Sequence, residues 1–250
     1  MSTEKRWSRP LKVLLDVALI ICLLSVAGAA YLGHQQQIWT EERLTEVNSV
    51  SGFHYFYYHQ NVWQDTSWLG VRTLKLPLDL MVFQEILFEK KPDIVIEAGT
   101  HHGGSAYFIA TLQDAMNHGK VITIDIKKFP NQPVHDRINY IVGSSTDPET
   151  VNRVKAMIPE GATVMVVLDS AHGKEHVLNE LRIYSQLATS GQYMIVEDTN
   201  VNGRPVYPEH GPGPGEAVDE FLAENDKYTV DKSREKYLLT FNPGGYLLRD

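Results

Sequence analysis

Five short apolar runs constrain this 250-residue chain more than any other feature: DIVIEAG from Asp93, VITIDI from Val121, INYIVG from Ile138, TVMVVLD from Thr163 and QYMIVED from Gln192. Each is too short for a helix and too uniformly apolar for a strand with one wet face. They read as strands of a parallel sheet buried on both sides. Helical patterns lie among them. PLDLMVFQEILFEKK spaces Leu80, Phe83, Ile86 and Leu87 along one face, and Lys90, Lys91 and Pro92 mark its end. SAYFIATLQDAMNHG reads as a helix ending at Gly119, DPETVNRVKAMI as one capped by Asp147 with Pro148 at its first position, and KEHVLNELRIYSQLA as another. Strands alternating with helices imply an α/β fold, a mostly parallel sheet with helices on both faces. GPGPGEAVDEFLAEN is a loop opening a helix. YTVD and KYLLTF…GYLLR then follow with no helix between them, which predicts an antiparallel C-terminal strand pair closing the sheet.

Residues 1–35 stand apart. A basic stretch precedes a run with no charge from Val17 to Gly33, and Leu11 to Leu15 extends it. A span needs ~20 apolar residues, so this segment reads as an N-terminal hydrophobic helix anchoring the chain to a membrane. Asp16 falls in its first turns, at a cost of ~2–3 kcal/mol if central and less near the interface. The alternatives are a cleaved signal peptide, with Ala27-Gly28-Ala29 as its small-residue site, and a helix buried in a homo-oligomer. Residues 36–75 are polar and aromatic. Their plainer reading is a connector folded over the edge of the following domain, and the alternative is an aromatic lid over a ring-shaped substrate such as a sugar. Residues 76–250 read as the α/β domain, the part expected to carry any catalytic site.

The net charge is −8, with the acidic excess outside the N-terminal segment, so a nucleic-acid partner is not expected. Cys22 is the single cysteine, which excludes a disulfide framework within one chain.

In open α/β sheets, ligands bind beyond the carboxyl ends of the strands, and the polar residues of this chain collect there. The first strand ends in Glu97-Ala98-Gly99-Thr100-His101-His102-Gly103-Gly104-Ser105. Glycine lets backbone approach a ligand, and the following helix N-terminus favours negative groups. A dinucleotide fingerprint wants Gly-x-Gly-x-x-Gly, and His101 breaks it. The second strand ends in Asp125, an acid placed to accept from ribose hydroxyls. The third ends in Gly143-Ser144-Ser145-Thr146-Asp147, suited to an adenine edge or to a simple helix cap. The fourth ends in Asp169-Ser170-Ala171-His172 and the fifth in Glu197-Asp198. If those two strands are neighbours, three carboxylates converge, which is costly without a cation. Oxygen donors suit Mg²⁺. His172 is a candidate base or substrate contact, and His176 a packing residue.

Taken together, PLDLMVFQEILFEKKPDIVIEAGTHHGGSA, GSSTDPETV, VLDSAHGKEHVLNEL, YMIVEDTNVNG, GPGPGEAVDEFL and SREKYLLTFNPGGYLLR resemble the cephalosporin hydroxylase / rhamnosyl O-methyltransferase family over roughly Trp68 to Asp250. The resemblance implies the Rossmann-like class I methyltransferase sheet, S-adenosylmethionine as cofactor and a Mg²⁺ site. It implies that Glu97, Gly99 and Gly103 border the cofactor, with Thr100, His101, Ser105 and Asp169 beside them, that Asp125 holds the ribose, and that Ser145 lies near adenine. Asp169, Glu197 and Asp198 are the implied metal ligands, with His172 and Asp169 as catalytic residues. The expected reaction is O-methylation of a sugar hydroxyl on a glycolipid or cell-surface glycan. The rivals are an oxygenase on the same fold, for which no convincing two-His-one-carboxylate set is visible, and an anchored nucleoside- or glycan-binding module without catalysis. The N-terminal segment departs from the soluble members of the family. Its basic residues precede the span, so the positive-inside rule sends the domain across the membrane. A cofactor made in the cytosol favours the cytoplasmic side instead, and that is the expectation adopted.

Overall fold

The computed structural model describes residues 9–250, which fall into two compact units divided between Ser51 and Gly52. Lys5 and Arg6 of the basic N-terminal stretch lie outside the described residues. The first unit is helical. Helix α1 runs from Arg9 to His59 and so continues into the second unit. Its stretch Asp16–Ile38 has a mean hydropathy of 2.0 and is unburied, long and apolar enough to cross a membrane. The boundary expected at residue 35, with a connector beyond it, does not coincide with a break. Residues 36–51 include three Glu and two Gln and hold no glycine or proline, so nothing stops the helix there.

In the second unit, a short hairpin (β1, Ser67–Trp68; β2, Val71–Arg72) precedes α2 (Pro77–Lys90). Then come β3 (Ile94–Ala98), α3 (Gly104–Ala115), β4 (Lys120–Asp125), β5 (Ile138–Val142), α4 (Pro148–Ala156), β6 (Val164–Leu168), α5 (Lys174–Tyr184), β7 (Tyr193–Val196), α6 (Pro214–Glu224), β8 (Tyr228–Val230) and β9 (Tyr246–Arg249). The seven main strands lie in the order β5-β4-β3-β6-β7-β9-β8. The first five are mutually parallel, and β9 is antiparallel to both its neighbours. The order reverses between β3 and β6, which makes that seam the switch point.

The apolar runs are continuous because both faces are covered. On β3, Ile94, Ile96 and Ala98 join the core under α4, α5 and α6, while Val95 joins the core under α2 and α3. Side chains such as Ile86, Leu87, Ile96 and Val166 are fully or almost fully buried, each contributing about 1.5–3 kcal/mol. Asp147 caps α4 as expected, accepting from Thr150 N. Two expectations change. Helix α3 stops at Ala115, four residues before Gly119, because Asn117 turns left-handed (φ 49°). The KYLLTF segment is not strand: Leu239 and Phe241 leave the sheet and pack against Leu76.

The last turns of α1 dock on this unit through His54, which is 5% exposed. Its ring stacks on Phe241 at 5.6 Å, and the Asn200 amide donates to its Nε2 at 3.0 Å. Burial pushes the imidazole down from 6.5 to about 4. The folded state therefore holds His54 neutral while the unfolded chain binds a proton below about 6.5. Its contribution to stability is complete above that pH and is lost as pH falls toward 4, by roughly 3 kcal/mol. Denaturant titrations of wild type and His54→Leu in detergent should show the gap between them closing by that amount from pH 6.5 to 4.

Candidate active site at the carboxyl rim of the sheet

The five parallel strands deliver their C-terminal ends to one rim, where a cavity of 740 Å³ opens, a size suited to a small-molecule site. The turn after β3 forms one wall. Gly99 has φ 105°, and a Cβ there would collide with the backbone oxygen of Asp169. Only glycine lets the β3 and β6 ends approach this closely. Gly99 N donates to Ile124 O at 2.8 Å, and Gly103 N closes the turn on Thr100 O at 2.7 Å. His101, which breaks the dinucleotide fingerprint, stands in left-handed backbone at φ 45°, and its amide donates to Asp125 Oδ2 at 2.8 Å. The turn and the β4 acid are thus hydrogen-bonded into one unit.

Gly99, Thr100, His101 and Ser105 line the cavity, as do Asp125 and Ser145. Glu97 and Gly103, also expected to border a cofactor, are not among the residues that line the cavity. Glu97 is fully buried in β3, accepting from Thr123 Oγ1 at 2.5 Å and from Ser105 Oγ. Its carboxylate braces β3, β4 and α3 from behind the turn, and burial raises its pKa. Gly103 faces Tyr140 and Pro133 on the outer side of the same turn.

At the β6 and β7 ends, adjacency is confirmed, Leu168 pairing with Val196. Asp169, His172 and Asp198 come together, with one potential ligand atom from each lying within 4.8 Å of the others. His172 Nε2 is 3.4 Å from Asp198 Oδ2. Asp198 adopts φ 53°, a conformation that its amide secures by donating to Asn242 Oδ1 at 3.2 Å. Glu197 is the difference from the three-carboxylate expectation. It turns to Lys75, whose Nζ lies 2.6 Å from Glu197 Oε2 and 2.5 Å from Asp169 Oδ2. Burial alone would lower the Lys75 ammonium, but the two carboxylates outweigh it and raise its pKa. Burial raises both Glu197 and Asp198.

Lys75 escaped the sequence reading. The available signal was a lone charge inside LKLP, directly before the first amphipathic helix. His176, expected to pack, lines the cavity instead, its Nε2 3.1 Å from Ser170 Oγ and 3.3 Å from Glu180 Oε1.

The donor set suits a divalent cation. Asp169, Glu197 and Asp198 place three carboxyl groups around the single ammonium of Lys75 in a partly buried site, where a further cation would favour their ionised forms. Glu197 Oε1 is buried without a hydrogen-bond partner among the described residues. The grouping has one imidazole and two carboxylates, the reverse of the two-His-one-carboxylate set that non-haem iron oxygenases use.

A sheet of this order, with a reversed strand inserted before its last edge and an acid rim at the switch point, defines the Rossmann-like class I methyltransferase fold. The family model described as Rhamnosyl O-methyltransferase/CmcI matches residues 60–250, and the chain belongs to that family as an O-methyltransferase. Rhamnosyl O-methyltransferase of Mycobacterium tuberculosis is 38% identical over 208 residues, covering 79% of this chain and 84% of the relative. The protein of the same name from Mycobacterium leprae (strain TN) is 38% identical over 205 residues, covering 79% and 89%. Among solved structures, CmcI with Mg and SAM is similar in fold (TM-score 0.58, 22% identity, 75% of this chain and 77% of that one). Apo CmcI is similar too (TM-score 0.59, 24% identity, 74% and 76%).

Proposed function

We propose that the protein transfers the methyl group of S-adenosylmethionine to a hydroxyl of a rhamnosyl or related deoxyhexose unit, with Mg²⁺ held at the acid rim. The observation that carries this reading is a single cavity that joins the Gly99 turn and Asp125 to the Asp169–Asp198 pair, in a chain of this family.

S-Adenosylmethionine, when bound, supplies the sulfonium methyl. Mg²⁺, when bound, supplies positive charge that lowers the pKa of an acceptor hydroxyl and orients it. Asp125, at the tip of β4, accepts from the ribose hydroxyls, and Ser145 borders the adenine. Asp169 and Asp198 would hold the metal, with Glu197, turned to Lys75 beside them, adding negative charge from behind. A hard ion prefers these oxygens to an imidazole nitrogen, so His172 is left to take the acceptor's proton. Lys75 keeps Asp169 and Glu197 in place. Much of the rate gain comes from aligning the two substrates.

The span Asp16–Ile38 supports attachment to a membrane and an acceptor that is itself a glycolipid. The catalytic unit then faces the cytoplasm, where its cofactor is made.

The test is to incubate the full chain with methyl-labelled S-adenosylmethionine, Mg²⁺ and rhamnosyl glycolipids. Label is expected on the sugar with one S-adenosylhomocysteine released per methyl, and a chelator should stop it. Oxygen uptake coupled to turnover, or turnover indifferent to chelation, would overturn the reading.

A further inference from the structure

We infer that the end of helix α1 is part of the substrate site, and that Tyr58, backed by Trp63 and accompanied by Tyr207, forms the subsite for the sugar ring of the acceptor. The inference rests on the methyl-transfer reading and adds to it the residues that hold the acceptor.

The glycine turn, Asp125 and Ser145 account for one part of the cavity wall. Another part comes from two segments that those roles leave unused: Tyr58, Asn61 and Trp63 from the end of α1 and the turn after it, and Tyr207 and His210 from the loop following Asp198. Tyr58 is fixed before any ligand arrives. Its ring stacks on Trp63 at 5.6 Å with 27° between the planes, and meets the buried Phe241 edge-on at 5.4 Å. Trp63 Nε1 donates to Tyr58 O at 3.1 Å. Burial, then the nearby Asp198 and Tyr207, push the Tyr58 hydroxyl up to about 12, so it stays a neutral hydrogen-bonding group at working pH. A rigid aromatic face beside polar side chains suits a deoxyhexose, whose ring has an apolar C–H face and methyl group together with hydroxyls needing partners.

The helix end is also tied to the metal loop. His54, one turn before Tyr58, is bonded to Asn200, and Asn200 lies two residues beyond Asp198. That link keeps the subsite and the acids at a fixed spacing, as attack on a methyl group in line requires. Tyr58 belongs to the last turn of α1, so the helix end itself supplies part of this wall, and the turn after it and the loop beyond Asp198 supply the rest.

The test is binding of methyl α-L-rhamnoside to the full chain in detergent, saturated with S-adenosylhomocysteine and Mg²⁺ and read by saturation-transfer NMR. Tyr57→Ala is the control, because Tyr57 packs on the same Phe241 at 6.3 Å yet does not line the cavity. Tyr58→Ala is expected to weaken binding about tenfold or more, while Tyr57→Ala and the ring-restoring Tyr58→Trp stay within about twofold of wild type. Equal losses in Tyr57→Ala and Tyr58→Ala would reduce Tyr58 to a packing role. Unchanged binding in Tyr58→Ala, or no binding by wild type, would overturn the subsite. Methyl transfer to the rhamnoside is scored separately. Tyr58-dependent binding without transfer would leave the subsite standing and sink the reaction.

Discussion

Replacing Lys75 with methionine is expected to destabilise the metal-free protein by about 3–5 kcal/mol, a large effect for one side chain. Methionine fills a similar volume, so the loss comes from charge and not from a void. Lys75 is almost fully buried and its ammonium lies between Asp169 and Glu197, the latter also buried. Without it, two carboxylates share an enclosed site with no counter-charge from the described residues, and Glu197 loses the one side-chain partner it has among them. Mg²⁺ should restore part of the loss, because an ion binding the folded state stabilises it by mass action. Denaturation with and without Mg²⁺ measures both effects. A cost below about 1 kcal/mol would mean that the pair behaves as a solvated surface bridge.

The second large effect is on catalysis. Asp169→Asn is expected to lower kcat/KM by about 10³-fold or more, since in the proposed metal site it would remove a charged ligand beside the reacting oxygen. The same variant should bind S-adenosylhomocysteine within about threefold of wild type. The reason is local. Asp169 meets the glycine turn through its backbone: its amide donates to Ala98 O at 2.8 Å, and its carbonyl is the atom packed against Gly99. An isosteric side-chain change leaves both in place. Stopped transfer with intact nucleoside binding separates the metal role from a collapsed pocket.

The sheet was legible because burial on both faces leaves a recognisable pattern, an apolar run without alternation ended by a polar residue. The rim was legible for a topological reason. Parallel strands put all their carboxyl ends on one side, so Asp125, Asp169 and Asp198 had to face a common space once β6 was known to adjoin β7. What local pattern could not supply were pairings at long range. Lys75 and Asp169 are 94 residues apart, and nothing near either names the other. Glu97 looks like a cofactor acid because it sits at a strand end, but side chains alternate along a strand, and its position turns the carboxylate inward to Thr123 and Ser105. The long reach of α1 was hidden by composition. A polar and aromatic segment reads as loop, while its helix formers and the docking of His54 and Tyr58 keep it helical to His59.

The central claim is that the β6 and β7 acids hold a divalent ion beside the nucleoside. It is tested most directly by calorimetric titration of Mg²⁺ into the full chain saturated with S-adenosylhomocysteine, for wild type and Asp169→Asn. The account predicts one ion bound per wild-type chain and none detectable in the variant under the same conditions. Equal binding by both proteins, or none by wild type, would contradict it.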